Sequence, residues 1–271
     1  MEIMVSDFSK VYKVKKIFLT GHTGFKGSWL LSWLHALGAE VYGYALTPKN
    51  DNDLYHLIEG DSLCTSHIGD IRDLPLLRNA VLSFQPDFVF HLAAQPLVRL
   101  SFETPVDTFN INTMGTANLL DAIRELHKPC TAVIITTDKV YENKELNYYY
   151  KEEDRLGGYD PYSASKATAE IVIDSYRKSF FNISRYEEHR KSISVARAGN
   201  VIGGGDWSKD RLIPDIVKAL HAGTGIAIRN PHSIRPWQHV LEPLAGYLAL
   251  GAKQCIDPVS FSTAFNFGPE T

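Results

Sequence analysis

The chain is poor in the residues that would tie it to a metal, a membrane or an oxidising compartment. Three cysteines, Cys64, Cys130 and Cys255, lie far apart in 271 residues. Odd in number and widely spaced, they give neither a disulfide framework nor metal-ligand spacing. The ten histidines contain no HExxH or paired-ligand pattern, so no metal is expected. No apolar run approaches the roughly 20 residues of a membrane span, and "MEIMVSDFSKVYKV" lacks the apolar core of a signal peptide. An excess of one charge is missing too. The net charge is −3, with Lys and Arg scattered, which argues against nucleic acid or an anionic membrane as partner. A reducing cytoplasm fits best. What is there, 44% hydrophobic and 22% charged residues, is an ordinary globular composition in a chain long enough for one large domain or one plus a small appendage.

Short β-rich runs alternate with segments of helical period. Strands are expected at 16–21, 40–45, 63–70, 87–94, 131–137 and 192–199, and helices near 25–38, 73–84, 104–127, 161–181 and 212–222. Near-continuous apolar strands separated by helices indicate an α/β fold, a doubly wound parallel sheet covered on both faces. Past Asn200 the alternation breaks into Gly-, Pro- and aromatic-rich stretches such as "GGGDW" and "RNPHSIRPWQH". A dinucleotide-binding domain is therefore expected over 14–200. A smaller substrate-binding lobe, incomplete at its C-terminus, is expected over 201–271, with interleaving of its strands with the first domain as the alternative.

"FLTGHTGFKGSWLLSWL" sets Gly21, Gly24 and Gly27 between the first strand and the first helix. Three such glycines suit a tight turn, close approach to a pyrophosphate, and helix–sheet packing, with His22, Phe25 and Lys26 at the same turn. A glycine-rich turn without ligand is the alternative. The second strand ends at Tyr44, Ala45 and Leu46 and lacks the acidic tip that marks NAD. Lys26 could instead meet a 2′-phosphate, so this rule alone leans to NADP. Asp70 and Ile71 stand where an adenine ring would be held, although Asp70 also suits a helix cap. Leu92, Ala93 and Ala94 end the fourth strand, and the two small alanines would let a nicotinamide ribose approach the backbone.

"TTDKVYEN" brings Thr137, Asp138 and Lys139 to the carboxyl edge of the fifth strand, and "YSASKATAE" follows. Tyr162 and Lys166, four apart, share a helix face. A nearby ammonium is expected to lower the phenol from its ordinary value of about 10, fitting it to take a proton from a sugar hydroxyl.

At this point the Gly-rich turn, "HLAA", "NTMGTANLLDA", "YSASK" and "RAGNVIGGGDW" resemble the extended short-chain dehydrogenase/reductase superfamily over nearly the whole chain. "TGHTGFKGSWL", "TTDKVYEN", "GGYDPYSASK" and "RNPHSIRPWQHVLEPL" more narrowly resemble its CDP-glucose 4,6-dehydratases, in which lysine follows the active-site aspartate where related dehydratases carry glutamate. The resemblance implies NAD, tightly held and recycled, against the acidic-tip rule. It implies that Tyr162, with Lys166 and Thr137, deprotonates the sugar 4-hydroxyl, that Tyr162 and Lys166 also bind the cofactor, and that Asp138 is the acid for the departing 6-hydroxyl. Lys139 is then the base for the C5 proton, or alternatively a fixed charge stabilising the enolate. Asn200 would contact the sugar nucleotide and Arg235 the diphosphate. Arg211, Gln95 and Arg99 are weaker substrate candidates, and Asn112 would tie the active-site helix to its neighbour. CDP-glucose is the implied substrate, deoxysugar and surface-polysaccharide (O-antigen, lipopolysaccharide) synthesis the implied context, and a homodimer through 104–127 and 161–181 the implied assembly. A 4-epimerase, a dehydratase for another nucleotide sugar, and a non-catalytic NAD(P)-sensing module are the rival readings.

Overall fold

The computed structural model describes residues 5–144, 148–226, 228, 231–232 and 235–269. Seven parallel strands form one sheet in the order β3-β2-β1-β4-β5-β6-β9. They are β1 (Lys16–Thr20), β2 (Glu40–Ala45), β3 (Thr65–Ile68), β4 (Phe88–His91), β5 (Cys130–Ile135), β6 (Lys191–Ala198) and β9 (Ala264–Phe267), with β7 (Val201–Ile202) and β8 (Gln238–His239) pairing apart from them. All six residues of β5 and all eight of β6 are buried, as strands covered on both faces must be.

Each face has its own core. One packs Leu30, Leu31 and Leu34 of the helix Phe25–Ala36 and Leu244, Tyr247 and Leu248 of the helix Leu241–Ile256 against Ile17, Leu19, Phe88 and Phe90. The other packs Leu77 and Val81 of the helix Leu74–Phe84, Leu119 and Ile123 of Gly115–Arg124, and Ile173 of Pro161–Ser179 against Phe18, Val89, Ile134 and Val195. The strand order reverses between β1's two neighbours, β2 and β4. The crevice outside the carboxyl ends there is where such sheets bind ligands.

The six expected strands and the expected helices are present, with ends shifted by a few residues. Three features differ. The expected helix 104–127 runs on through Pro105–Phe109 and Gly115–Arg124 in helical conformation, but carries a π-helical turn at Asn110–Met114. That turn lets Asn112 donate to Ser165 Oγ (2.9 Å) and Thr113 to the Ser165 carbonyl (3.0 Å). Second, the sheet body does not stop at residue 200. The helix Leu241–Ile256 packs on β5 and β6, and β9 adds to β6, so that among the described residues after Ala198 the sheet body resumes at Leu241. Third, the body begins before residue 14. The helix Val5–Tyr12 buries Tyr12, whose hydroxyl donates to the Leu248 carbonyl at 2.6 Å. Of the "RNPHSIRPWQH" stretch, 229–230 and 233–234 lie outside the described residues.

Candidate active site

Thr20 sits at the end of β1, and its hydroxyl accepts from the Ala93 amide at 3.1 Å and bonds His91 Nδ1 at 2.7 Å. The chain then turns at Gly21 with φ +76°, and a β-carbon there would meet the Ala93 nitrogen at 2.7 Å. A β-carbon on Gly27 would lie 1.9 Å from the Gly21 carbonyl oxygen, whereas one on exposed Gly24 meets only that oxygen, at 3.4 Å. The loop is thus closed on the protein side and open at Gly24. Phe25–Ala36 begins there with no side-chain cap and no acidic residue in its first turn. Uncapped N–H groups behind an open glycine fit the pyrophosphate of a dinucleotide.

His22 is not at that surface. It is fully buried, bonded to Ser66 Oγ at 2.9 Å, and its ring fills the space a β-carbon on Gly43 would need. Burial lowers its pKa to about 4, so it is neutral. The Asp70 carboxylate is gripped by Arg72 at 2.6 Å, which also reaches Asp107 at 3.2 Å. That guanidinium holds Asp70 below the usual carboxylate range. Ile71 is buried against Gly115. Leu92, Ala93 and Ala94 are half-buried at the end of β4.

Lys26 overturns its sequence reading. Its ammonium lies 3.4 Å from the Tyr247 hydroxyl and over that ring, 5.8 Å from the centroid. Its charge interacts with Arg211, Lys166 and Asp138, which are groups of the catalytic end and not of the β2 tip. Burial, then the Arg211 and Lys166 charges, lower it to about 8. The 2′-phosphate role, and with it the lean to NADP, falls away.

The catalytic candidates converge. Asp160 caps the helix Pro161–Ser179 by accepting from Ser163 N at 3.0 Å, with Pro161 at its first position. This fixes Tyr162 and Lys166 on a buried face. The turn Asp138–Val140 follows β5, where Thr137 Oγ1 donates to Asp138 Oδ1 at 3.0 Å. Lys139 Nζ lies 5.9 Å from the centroid of the Tyr162 ring. Tyr162 does not have the lowered pKa that the YxxxK spacing suggests. Burial pushes it up to about 12, against a hydrogen bond with Thr137 and the charge of Arg211. Lys166 is itself lowered to about 8 by burial, and its ammonium donates to the Ile135 carbonyl at 3.1 Å. Desolvation outweighs the neighbouring charge here.

The substrate candidates divide. A β-carbon on Gly199, before half-buried Asn200, would meet Pro236 at 2.8 Å and Asp138 Oδ2 at 3.2 Å, which puts Asn200 and exposed Arg235, beside Pro236, at the same edge as Asp138. Arg211 pairs with Asp206 at 2.8 Å, and its charge reaches Tyr162 and Lys26. Arg99 pairs with Asp210 at 2.7 Å on the surface. Gln95 is committed internally: its side chain bonds Leu97 N (2.6 Å) and O (3.1 Å) and Thr108 (3.0 Å), and its backbone bonds Asn112. Sequence reasoning missed Tyr247, Glu170 and Arg197. The last two left a signal, namely a charge inside the apolar strand "SISVARAG" and an acid four residues beyond Lys166.

This constellation has relatives. Residues 18–259 match the GDP-mannose 4,6 dehydratase family. CDP-glucose 4,6-dehydratase of Salmonella typhimurium is 51% identical over 94% of this chain and 71% of its own length. CDP-paratose 2-epimerase of Salmonella typhi is 31% identical over 61% of this chain and 54% of its own length. Among solved structures, dTDP-glucose 4,6-dehydratase DesIV of Streptomyces venezuelae, with NAD and TYD bound, superposes with a TM-score of 0.81 over 94% of this chain and 76% of that one; at 23% identity this likeness speaks for the fold alone. The chain belongs to the GDP-mannose 4,6 dehydratase family, and within it stands with CDP-glucose 4,6-dehydratase.

Proposed function

We propose that the protein is an NAD-dependent hydro-lyase that converts CDP-glucose to CDP-4-keto-6-deoxyglucose. The observation that carries this reading is the Asp138–Lys139 turn packed against Tyr162. An epimerase needs only the tyrosine–lysine half, whereas elimination of water needs an acid and a base as well. The open cradle at Gly24 supports a dinucleotide, with Gly21 and Gly27 shaping it, Ala93 and Ala94 beside it, and Asp70 and Ile71 toward its adenine end. The chemistry NAD supplies when bound is acceptance of the C4 hydride and its return to C6, so the sugar is oxidised and then reduced with no net redox change.

Tyr162 takes the proton of the C4 hydroxyl, its oxygen helped by Thr137 and by the charge of Lys166. The C4 ketone acidifies the C5 proton, which Lys139 removes. Asp138 gives a proton to the departing C6 hydroxyl, which leaves as water; Lys139 then returns its proton to C5 as the hydride reaches C6, and the proton taken by Tyr162 passes through solvent to restore Asp138. Each positioned proton transfer is worth about 10²–10⁴-fold. Asn200 holds the sugar nucleotide, and Arg235 and Arg211 face its diphosphate, where a guanidinium fork suits phosphate better than an ammonium. Exposed Phe102, Val106, Met114, Ile171 and Phe180 on the helical face around 98–124 and 161–179 support a homodimer. The three cysteines are free, which supports a reducing cytoplasm, where the product would feed deoxysugar synthesis.

The test is product formation from CDP-, dTDP-, GDP- and UDP-hexoses with NAD, read by the ultraviolet absorbance of 4-keto-6-deoxy sugars in alkali. Turnover of CDP-glucose alone is expected; turnover of another nucleotide sugar, or C4 inversion without absorbance, would replace the reading. Lys139→Arg and Lys139→Gln decide the base. Arginine keeps the charge but does not deprotonate, so both variants should lose activity about 10²-fold or more. Retention by the arginine variant would make Lys139 a fixed charge.

A further inference from the structure

Glu170 stands one helical turn beyond Lys166, and both it and Arg197 of β6 are at most 5% exposed. Arg197 Nε donates to both Glu170 oxygens at 3.0 Å, and its Nη2 also donates to that carboxylate. A buried ion pair is poor value for stability, because desolvating two charges offsets their attraction. The pair's other bonds suggest what it does. Thr136 Oγ1 donates to Glu170 Oε1 at 2.6 Å. Arg197 Nη1 donates to the Tyr141 hydroxyl at 2.8 Å and to the Glu152 carbonyl at 3.0 Å, and the guanidinium lies over the Tyr141 ring, 4.9 Å from its centroid. The Tyr141 hydroxyl in turn donates to Asn266 Oδ1 at 2.6 Å. Thr136 and Tyr141 are the residues immediately flanking the segment 137–140.

We propose that the Glu170–Arg197 pair is a positioning device: it clamps both ends of the turn that carries Thr137, Asp138 and Lys139, and places an anion one helical turn from Lys166. The inference rests on the site assigned under Proposed function. Catalytic groups must be held closely, since misplacement by about 1 Å can cost roughly 10²-fold. A turn with one end on the helix of Tyr162 and the other on β6 cannot drift relative to that tyrosine. The anion matters separately. Around Lys166 stand Tyr162 and Glu170 on its own helix, His91 on β4 and Lys26 on Phe25–Ala36; around Glu170 stand Arg197 on β6 and Arg177 on its own helix. Burial lowers Lys166 to about 8 and Glu170 opposes that shift. Lys166 is therefore cationic below about that pH and neutral above it, so activity falls as pH rises through this region, and removing Glu170 should start the fall at lower pH.

The experiment compares wild type, Glu170→Gln/Arg197→Gln and Tyr141→Phe as full-length protein with NAD, by kcat, KM, thermal midpoint and pH profile. The double variant, which strands no single charge, should lose about 10–100-fold in kcat with KM for CDP-glucose nearly unchanged. Its alkaline limb should move to lower pH. Tyr141→Phe releases one end of the turn without touching charge, and should lower kcat several-fold with the pH profile unmoved. A loss confined to the thermal midpoint, with kcat per folded molecule and the alkaline limb as in wild type, would overturn the inference. Should the double variant fail to fold, Tyr141→Phe decides the clamp alone, with unchanged kcat overturning it. Tyr162→Phe, run alongside, separates the two readings: if it retains turnover the site assignment fails, and if it is dead while the clamp variants behave as wild type only the clamp fails.

Discussion

Tyr162→Phe is expected to lower turnover of CDP-glucose by about 10²–10⁴-fold while leaving fold and NAD binding in place. The phenylalanine ring keeps the packing of the buried face and the surface over which Lys139 lies, 5.9 Å from the ring centroid. Only the hydroxyl is lost. Burial raises Tyr162 to about 12, so without ligands the group is a neutral phenol in a dry setting, and it takes the C4 proton only as the phenolate, which the positive charges of Lys166 and of a bound nicotinamide favour. Removing a buried hydroxyl together with its desolvation cost should change stability little. The thermal midpoint is therefore the control: a variant that is inactive and equally stable places the loss in chemistry. A variant that retains more than about a tenth of wild-type kcat would remove the tyrosine from the proton transfer. Thr137→Val should give a smaller loss, because it takes away the hydrogen bond that opposes the rise but leaves Lys166 in place.

The sequence made the sheet readable where the physics is local. β1, β4 and β5 are apolar runs that only a doubly covered parallel strand accommodates, and the site candidates follow them at the carboxyl edge. The meeting of Asp138, Lys139 and Tyr162 was legible for the same reason. What was not legible depends on contacts far along the chain. The π-turn within 104–127 goes with Asn112 and Thr113 reaching Ser165, more than fifty residues on. The return of Leu241–Ile256 and β9 to the sheet has no local marker that sets it apart from the lobe before it. Lys26 reads as a surface lysine in a turn until Tyr247, over two hundred residues away, is seen beneath it. The YxxxK spacing gives a shared face correctly but says nothing of burial, and burial is the larger influence on both pKa values.

Gly27→Ala should abolish NAD binding and destabilise the fold, whereas Gly24→Ala should impair NAD binding with the fold intact. The contrast follows from what one methyl group would meet. At Gly27 it would stand 1.9 Å from the Gly21 carbonyl oxygen and 2.9 Å from His22 Cα, both backbone atoms that cannot rotate aside. Relief requires moving the turn or the start of Phe25–Ala36. The turn is held at Gly21, whose N–H donates to the Tyr44 carbonyl at 2.9 Å and whose carbonyl accepts from Gly24 N at 3.0 Å. The helix is pinned by Ser28, Leu30 and Leu31 in the core. Overpacking against rigid neighbours costs about 1–3 kcal/mol and occasionally more. With roughly 2–4 °C of midpoint per kcal/mol in a chain of this size, a fall of about 2–12 °C is expected. At Gly24 the methyl meets one oxygen at 3.4 Å and otherwise points outward, so the midpoint should stay within about 2 °C of wild type. It would nevertheless stand where a pyrophosphate approaches the helix N-terminus. Calorimetric titration with NAD, beside a thermal melt of each variant, reads both effects. Equal midpoints for the two variants would mean that the turn yields at Gly21 after all. Undiminished NAD binding by Gly24→Ala would move the dinucleotide away from this cradle.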